Sequence, residues 1–223
     1  LKTLRITKAD LNERNEYTRS RDLEFEGHIE VEASLGWITV NGFIRAVGGL
    51  FVEAGSSIKA GESIKAGEFI NAGSSIKAGA SIKAGWSINA GSSIKAGASI
   101  KAGWSINAGE SIEAGWSINA GESIKAGWSI NAGESIKAGS SIEAGASINA
   151  GESIKAGGSI RCKAQLAAKL RIFAGLCSWN LPRPDEQVIE CAELVEGTVC
   201  FGELRFLTPS APIAEPTEGE DAE

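Results

Sequence analysis

The sequence predicts an all-β fold: a single-stranded β-solenoid wound in triangular coils of about 18 residues and capped at both ends. Three observations carry that expectation. From Ala54 to Arg161 the unit Ala-Gly-x-Ser-Ile-x repeats eighteen times without an insertion, and only Phe69, in a Ser slot, breaks the four fixed positions. A unit of six residues is too small to bury its own apolar side chains and must stack on copies of itself. Ile and Ala lie two apart in every Ser-Ile-x-Ala, so both point to one side of an extended strand, and a Gly punctuates each unit.

Each element of the unit has a physical role. The residue between Ile and Ala is Lys, Asn, Glu or Arg and points outward. Gly follows where the chain must turn, and the expected reason is a positive φ that penalises a Cβ. The next residue varies among Ser, Glu, Ala, Trp and Gly, as an exposed corner allows, and Ser then offers a hydroxyl to turn backbone groups. A helix is excluded by the period and by the repeated Gly, each costing about 1 kcal/mol there. A hairpin sheet would need longer strands than those between successive glycines.

The frame runs past the regular units. Backwards, the Ile/Ala pair recurs as Leu50/Val52, Ile44/Ala46 and Ile38/Val40, with a two-residue insertion between Leu50 and Ile58. Forwards, it continues as Leu166/Ala168 and Ile172/Ala174, with Cys162 in the Ala slot after Ile160. This sets the expected organisation: an N-terminal cap over 1–35, the solenoid over 36–177, a C-terminal β-hairpin cap over 178–208 and a disordered acidic tail over 209–223. The N-terminal cap holds a charged, short-helical stretch from Lys8 to Arg19 and a strand-like Leu23 to Val31. The hairpin is expected from Gln187 to Val195 and Thr198 to Leu207, flanking Glu196-Gly197. Pro209, Pro212 and Pro216, with five acids and no base, mark the tail.

Coil size follows from columns. Asn71, Asn89 and Asn107 recur at every eighteenth position, as do Trp86 and Trp104; Asn107, Asn119 and Asn131 recur at every twelfth, as do Trp104, Trp116 and Trp128. Three units give a triangle whose interior holds three Ile and three Ala. Two give a flat 12-residue coil, the alternative. The triangle is preferred because its wider interior buries each Ile more fully, a contribution of about 2–3 kcal/mol per side chain. At ~4.8 Å per coil, some eight coils make a rod about 35–40 Å long.

Composition narrows the function classes. The 223 residues carry a net charge of −6, of which the tail supplies five. The array has nine Lys, Arg161 and eight Glu, near +2, with no basic stripe of the kind nucleic-acid binding needs. No run of about 20 apolar residues spans a bilayer. The start, Leu1-Lys-Thr-Leu-Arg-Ile, has no apolar signal core, which points to the cytoplasm; Met is absent even at position 1, so a trimmed start with a lost export signal stays open. Cys162, Cys177, Cys191 and Cys200 match no CxxC pattern and are expected as buried free thiols, with disulfides the alternative and no metal site.

An aliphatic and a small residue two apart, a Gly corner and a strict six-residue frame resemble the hexapeptide-repeat, left-handed β-helix proteins over about 140 residues. In that family the large aliphatic usually precedes the corner; here Ala54, Ala60 and their equivalents do, and Ile58 and Ile64 take the other slot. The chain also resembles uncharacterised bacterial proteins with long arrays of near-identical six-residue units, a likeness that implies no activity. Many hexapeptide-repeat proteins are acyltransferases, which implies a catalytic His beside a cofactor groove and a long loop leaving a coil. This chain has one His, His28, outside the array, and no loop between Ala54 and Arg161. That activity is therefore the third reading, and no catalytic residue or cofactor is expected.

The surface oddity is Trp86, Trp104, Trp116 and Trp128, in corner slots otherwise held by Ser, Ala, Gly or Glu. Each ring either lies over its own corner or joins a candidate interaction strip for a partner protein, a glycan or a second copy of the chain. The first functional expectation is a non-enzymatic rigid scaffold, spacer or self-assembly module, with a homo-oligomer as candidate partner and neither nucleic acid nor membrane. The alternative is an ice- or glycan-binding solenoid, although Thr ladders are lacking and Lys interrupts the strand faces.

Overall fold

The inward alternation of Ile and Ala builds three flat faces. The computed structural model describes residues 1–176 and 183–207. Cys177, Trp179 and the acidic tail lie outside them. Face 1 is a ladder of eleven strands running from Thr3–Ile6 through His28–Val31, Leu50–Val52 and Ile70–Ala72 to Val188–Cys191 and Glu203–Phe206, with neighbours parallel. Face 2 stacks Gly36–Val40, Ser56–Ala60 and Ile76–Ala78 up to Ile148–Ala150. Face 3 stacks Leu23–Phe25, Ile44–Ala46 and Ile64–Ala66 up to Ser153–Ala156. The chain visits faces 1, 2 and 3 in turn. Ile76 pairs with Ile94, Ile82 with Ile100 and Ile88 with Ile106, so one coil comprises three units and is three-sided. The two-unit alternative is excluded by this register. Eleven strands on face 1 make ten coil steps, about 48 Å of rod at the usual strand spacing.

Burial follows the sequence pattern. Each array strand reads buried, outward, buried, and Ile58 through Ile160 are fully buried. The outward residue decides how well the neighbouring Ala is covered. Ala66 and Ala84, after Lys65 and Lys83, are 2% exposed, whereas Ala72 and Ala90, after Asn71 and Asn89, are 8%. A Lys stem is long enough to cover an adjoining Ala where an Asn side chain is not, which accounts for the difference.

The corner glycines serve a different purpose from the expected one. Positive φ among described glycines is confined to Gly36, Gly55, Gly175, Gly197 and Gly202; of these only Gly55, in the first unit, belongs to the array, and the later corner glycines turn without it. What excludes a Cβ at those corners is the coil beneath. An ideal Cβ at Gly79 would fall 1.9 Å from the carbonyl oxygen of Gly61, and at Gly115 2.1 Å from that of Gly97. The close approach lets corner amides bond along the axis: Gly79 N–H donates to Ala60 O at 3.0 Å and Ala80 N–H to Glu62 O at 2.8 Å. Ser completes the corner by accepting, as Ser57 Oγ does from Ser75 N–H at 3.1 Å.

Both end segments depart from expectation. The ladders run past 36 and 177. Leu23–Phe25 and His28–Val31 are two strands on faces 3 and 1, separated by a corner at Gly27. The Lys8 to Arg19 stretch has one turn of 3-10 helix, Lys8–Asp10, and then pairs with face 2, where Tyr17 N–H donates to Thr39 O. The C-terminal hairpin is corrected outright. Gln165–Phe173 and Glu193–Phe201 pair in parallel and each bends round the corner between faces 2 and 3. Gly197, at φ +116°, makes that bend, so a signal that reads as a hairpin turn is a coil corner.

The two ends of the rod differ. At the N-terminal end Ile6, Tyr17 and Leu23 are buried. Asp10, also buried, accepts from Thr7 N–H at 2.8 Å and pairs with Arg19. The Thr7 bond, opposed by burial and aided by the Arg19 charge, holds the carboxyl below its ordinary value. At the C-terminal end Leu194, Val199 and Leu204 are only partly buried, and Phe206, which pairs with the buried Cys191, is 61% exposed.

Candidate functional site

Stacking every eighteenth residue sorts the surface into columns. The outward column of face 3 holds Lys65, Lys83, Lys101, Asn119, Lys137 and Lys155. That of face 2 holds Lys59, Lys77, Lys95, Glu113, Asn131 and Asn149. Face 1 holds Asn71, Asn89, Asn107, Lys125, Glu143, Arg161 and Glu190. The array's near-neutral charge therefore hides a segregation: face 3 has five lysines and no acid in its array column. Among the described residues none of those five enters an ion pair. On face 1, by contrast, Lys125 pairs with Glu143 at 3.5 Å and Arg161 with Glu190 at 3.0 Å. This charge-by-face pattern was missed in the sequence, although the regular spacing of the lysines was the signal for it.

The tryptophans are divided by the same register. Trp86 and Trp104 share the corner between faces 3 and 1, stacked with centroids 5.5 Å apart and rings 10° from parallel. Phe69, the one break in the fixed positions, sits below and meets Trp86 edge-on at 4.8 Å. Trp116 stands on the corner between faces 2 and 3, and Trp128 on the corner between faces 1 and 2. The four do not form one strip. Two units cover only two sides of a three-sided coil, so the later spacing rotates the ring around the rod. Exposure rises from 43% at Trp86 to 69% at Trp128 as aromatic neighbours are lost.

Three rungs thus repeat one constellation: Lys65 with Phe69 and Asn71, Lys83 with Trp86 and Asn89, Lys101 with Trp104 and Asn107. The amides form a ladder, Asn89 Nδ2 donating to Asn71 Oδ1 at 2.8 Å and Asn107 Nδ2 to Asn89 Oδ1 at 2.9 Å. Such a surface attracts anions on one side of an aromatic ridge and offers amide hydrogen bonds on the other.

The remaining chemistry-bearing residues are engaged elsewhere. His28 Nδ1 accepts from Gly49 N–H at 2.9 Å, which puts the ring proton on Nε2, and the ring packs 5.9 Å from Phe51. Cys162 and Cys191 are buried free thiols on neighbouring face 1 strands, and Cys200 is exposed. Burial, then the neighbouring Cys191, pushes the Cys162 thiol up to about 12; burial raises Cys191 as well. A shallow groove of about 470 Å³ runs along face 1 beside Phe51, Asn71 and Asn89. No described helix is long and apolar enough to cross a membrane.

The protein is a parallel β-solenoid with three-sided coils of three six-residue units each. No protein-family model, curated protein or solved structure matches the chain.

Proposed function

We propose that this chain is a hexapeptide-repeat solenoid acting as a non-enzymatic rigid scaffold or spacer. The observation that supports it is the uninterrupted stack of in-register coils, which fixes the distance between its ends and presents each surface column at constant spacing. The buried free thiols Cys162 and Cys191 suit a reducing compartment such as the cytoplasm. Deleting residues 120–137, one whole coil, tests the reading. The expected product is folded and shorter by about 4.8 Å in solution scattering. An unchanged length, or loss of the fold, contradicts a modular spacer.

Self-association is a second part of this reading, favoured by the open C-terminal end. Phe206 occupies an inward register position yet is 61% exposed, and Val195 and Phe201 nearby are 53% and 42% exposed. A second copy stacked end to end would cover this surface with the same surface. Sedimentation of Phe206→Glu against the parent chain checks this: a monomeric variant from a dimeric parent supports it, and a monomeric parent contradicts it.

A further inference from the structure

We propose that the lysine column of face 3, where it runs beside the Trp86–Trp104 corner, binds a linear acidic polysaccharide laid along the rod axis. The proposal rests on the solenoid reading and adds a ligand class to it.

Charge is the first observation. Lys65, Lys83 and Lys101 stand directly opposite one another on neighbouring strands, without an acidic partner among the described residues. Like charges in register destabilise a sheet, and the same scaffold avoids that on face 1 by alternating sign. The window around Lys83 and Lys101 is also free of acid at both flanking corners. Ala80 and Ala98 occupy one, Trp86 and Trp104 the other, whereas Glu62, Glu68, Glu122, Glu134 and Glu152 occupy those corners in other coils. Across the alanine corner lie Lys77 and Lys95, the latter paired with Glu113 at 2.7 Å. An anion arriving here finds cations with nothing to displace except Glu113.

Geometry selects the kind of anion. The lysines lie on a straight line at the coil step of ~4.8 Å. An extended polyuronate carries one carboxylate per sugar, and a sugar with its linkage is comparable in length to that step. Duplex nucleic acid offers a phosphate every ~3.4 Å per strand on a wound path, and a lysine column lacks the bidentate guanidinium fork that suits phosphate. Single strands are held by bases stacking on free aromatic faces. Here the facing rings of Trp86 and Trp104 lie on each other and Phe69 covers Trp86 from below. What remains is a corner ridge beside the lysine column, 43% exposed at Trp86 and 52% at Trp104, in which only Trp104 keeps a ring face without an aromatic neighbour among the described residues, too few for successive bases. A sugar ring lays its C–H edge against such a ridge while its carboxylate meets a lysine.

The test is calorimetric titration of the full chain with galacturonate oligomers, with tryptophan fluorescence as a second readout. Lys83→Gln with Lys101→Gln should weaken binding about thirty-fold, and Lys137→Gln with Lys155→Gln, outside the Trp window, should change it much less. Methyl-esterified oligomers should not bind. Absence of binding by the galacturonate oligomers overturns the proposal. So does equal affinity for poly-dT or polyglutamate, which would make the column a general polyanion surface, and so does equal loss in the two double variants. Circular dichroism and scattering on the same samples report the rod separately, so failure of the ligand leaves the scaffold reading standing.

Discussion

Replacing Gly115 by Ala puts a methyl group where the structure has no room for one. The Cβ would fall 2.1 Å from Gly97 O and 3.0 Å from its carbonyl carbon. A carbon–oxygen contact needs about 3.3 Å, so the corner must open by roughly 1.2 Å. Two bonds hold it closed: Gly115 N–H to Ala96 O at 3.1 Å and Trp116 N–H to Ala98 O at 2.9 Å. Losing both, with their polar groups left facing the stack, costs about 2–5 kcal/mol. Against this stands the usual gain of about 0.4–1 kcal/mol from restricting the unfolded chain, so the net expectation is a loss of about 1–4.6 kcal/mol. Gly158→Ala is the matched control. Its Cβ comes no closer to any atom than 3.2 Å, from Ser140 O, and it occupies the place in the unit that Ala80 and Ala98 fill elsewhere. It should stay within about 1 kcal/mol of the parent. Urea unfolding of the two variants, with hydrogen exchange to locate the opening, is the assay. Equal stability for both would refute inter-coil contact as the reason for glycine.

Three further outcomes follow from the same structure. Alkylation of the native protein at pH 8 should modify Cys200 and spare Cys162, because a thiol pushed to about 12 stays protonated. Its folded value lies above the ordinary 9.0, so that contribution to stability is intact below about pH 9 and declines as pH rises toward 12; Cys162→Ala should flatten the decline measured by urea titration. Asp10 has the opposite sign: its lowered carboxyl stabilises the fold above its ordinary 3.8 and loses that contribution as pH falls further. Asp10→Asn should cost about 2–3 kcal/mol at neutral pH and remove the acid dependence, measured by thermal melts. Lys77→Glu, placed between Lys59 and Lys95 on face 2, should raise stability by up to about 1 kcal/mol at low salt, with the gain vanishing at high salt.

Much of the fold was legible because each unit states its own physics. Ile inward, Lys or Asn outward and Gly at the bend require only the alternation of a strand. What the unit leaves open is which coil lies beneath it. Every side carries one motif, so six-residue periodicity is equally consistent with two sides or three, and every columnar property depends on that choice. The lysines at 65, 83 and 101 look evenly scattered in sequence and become a column only once three units make a coil. Trp104 and Trp116 look like neighbours in a strip and land on different corners for the same reason. The glycines were placed correctly for the wrong cause, since the atom that excludes a side chain belongs to a residue eighteen positions earlier. At the ends the coil lengths change: Thr3 pairs with His28 and Ile160 with Ile189. Lengths of that kind hide the frame, and Glu196-Gly197 then reads as an isolated turn.

A pulsed electron-resonance distance between spin labels at Lys59 and Asn149 tests the architecture most directly. Both lie in the outward column of face 2, five coil steps apart. Three-sided coils place the two backbones about 24 Å apart, whereas two-sided coils of two units each would separate them by about 36 Å. A distance distribution centred near the shorter value is the outcome this structure requires; one centred near the longer would mean that the columns, and every surface described from them, are wrongly assigned.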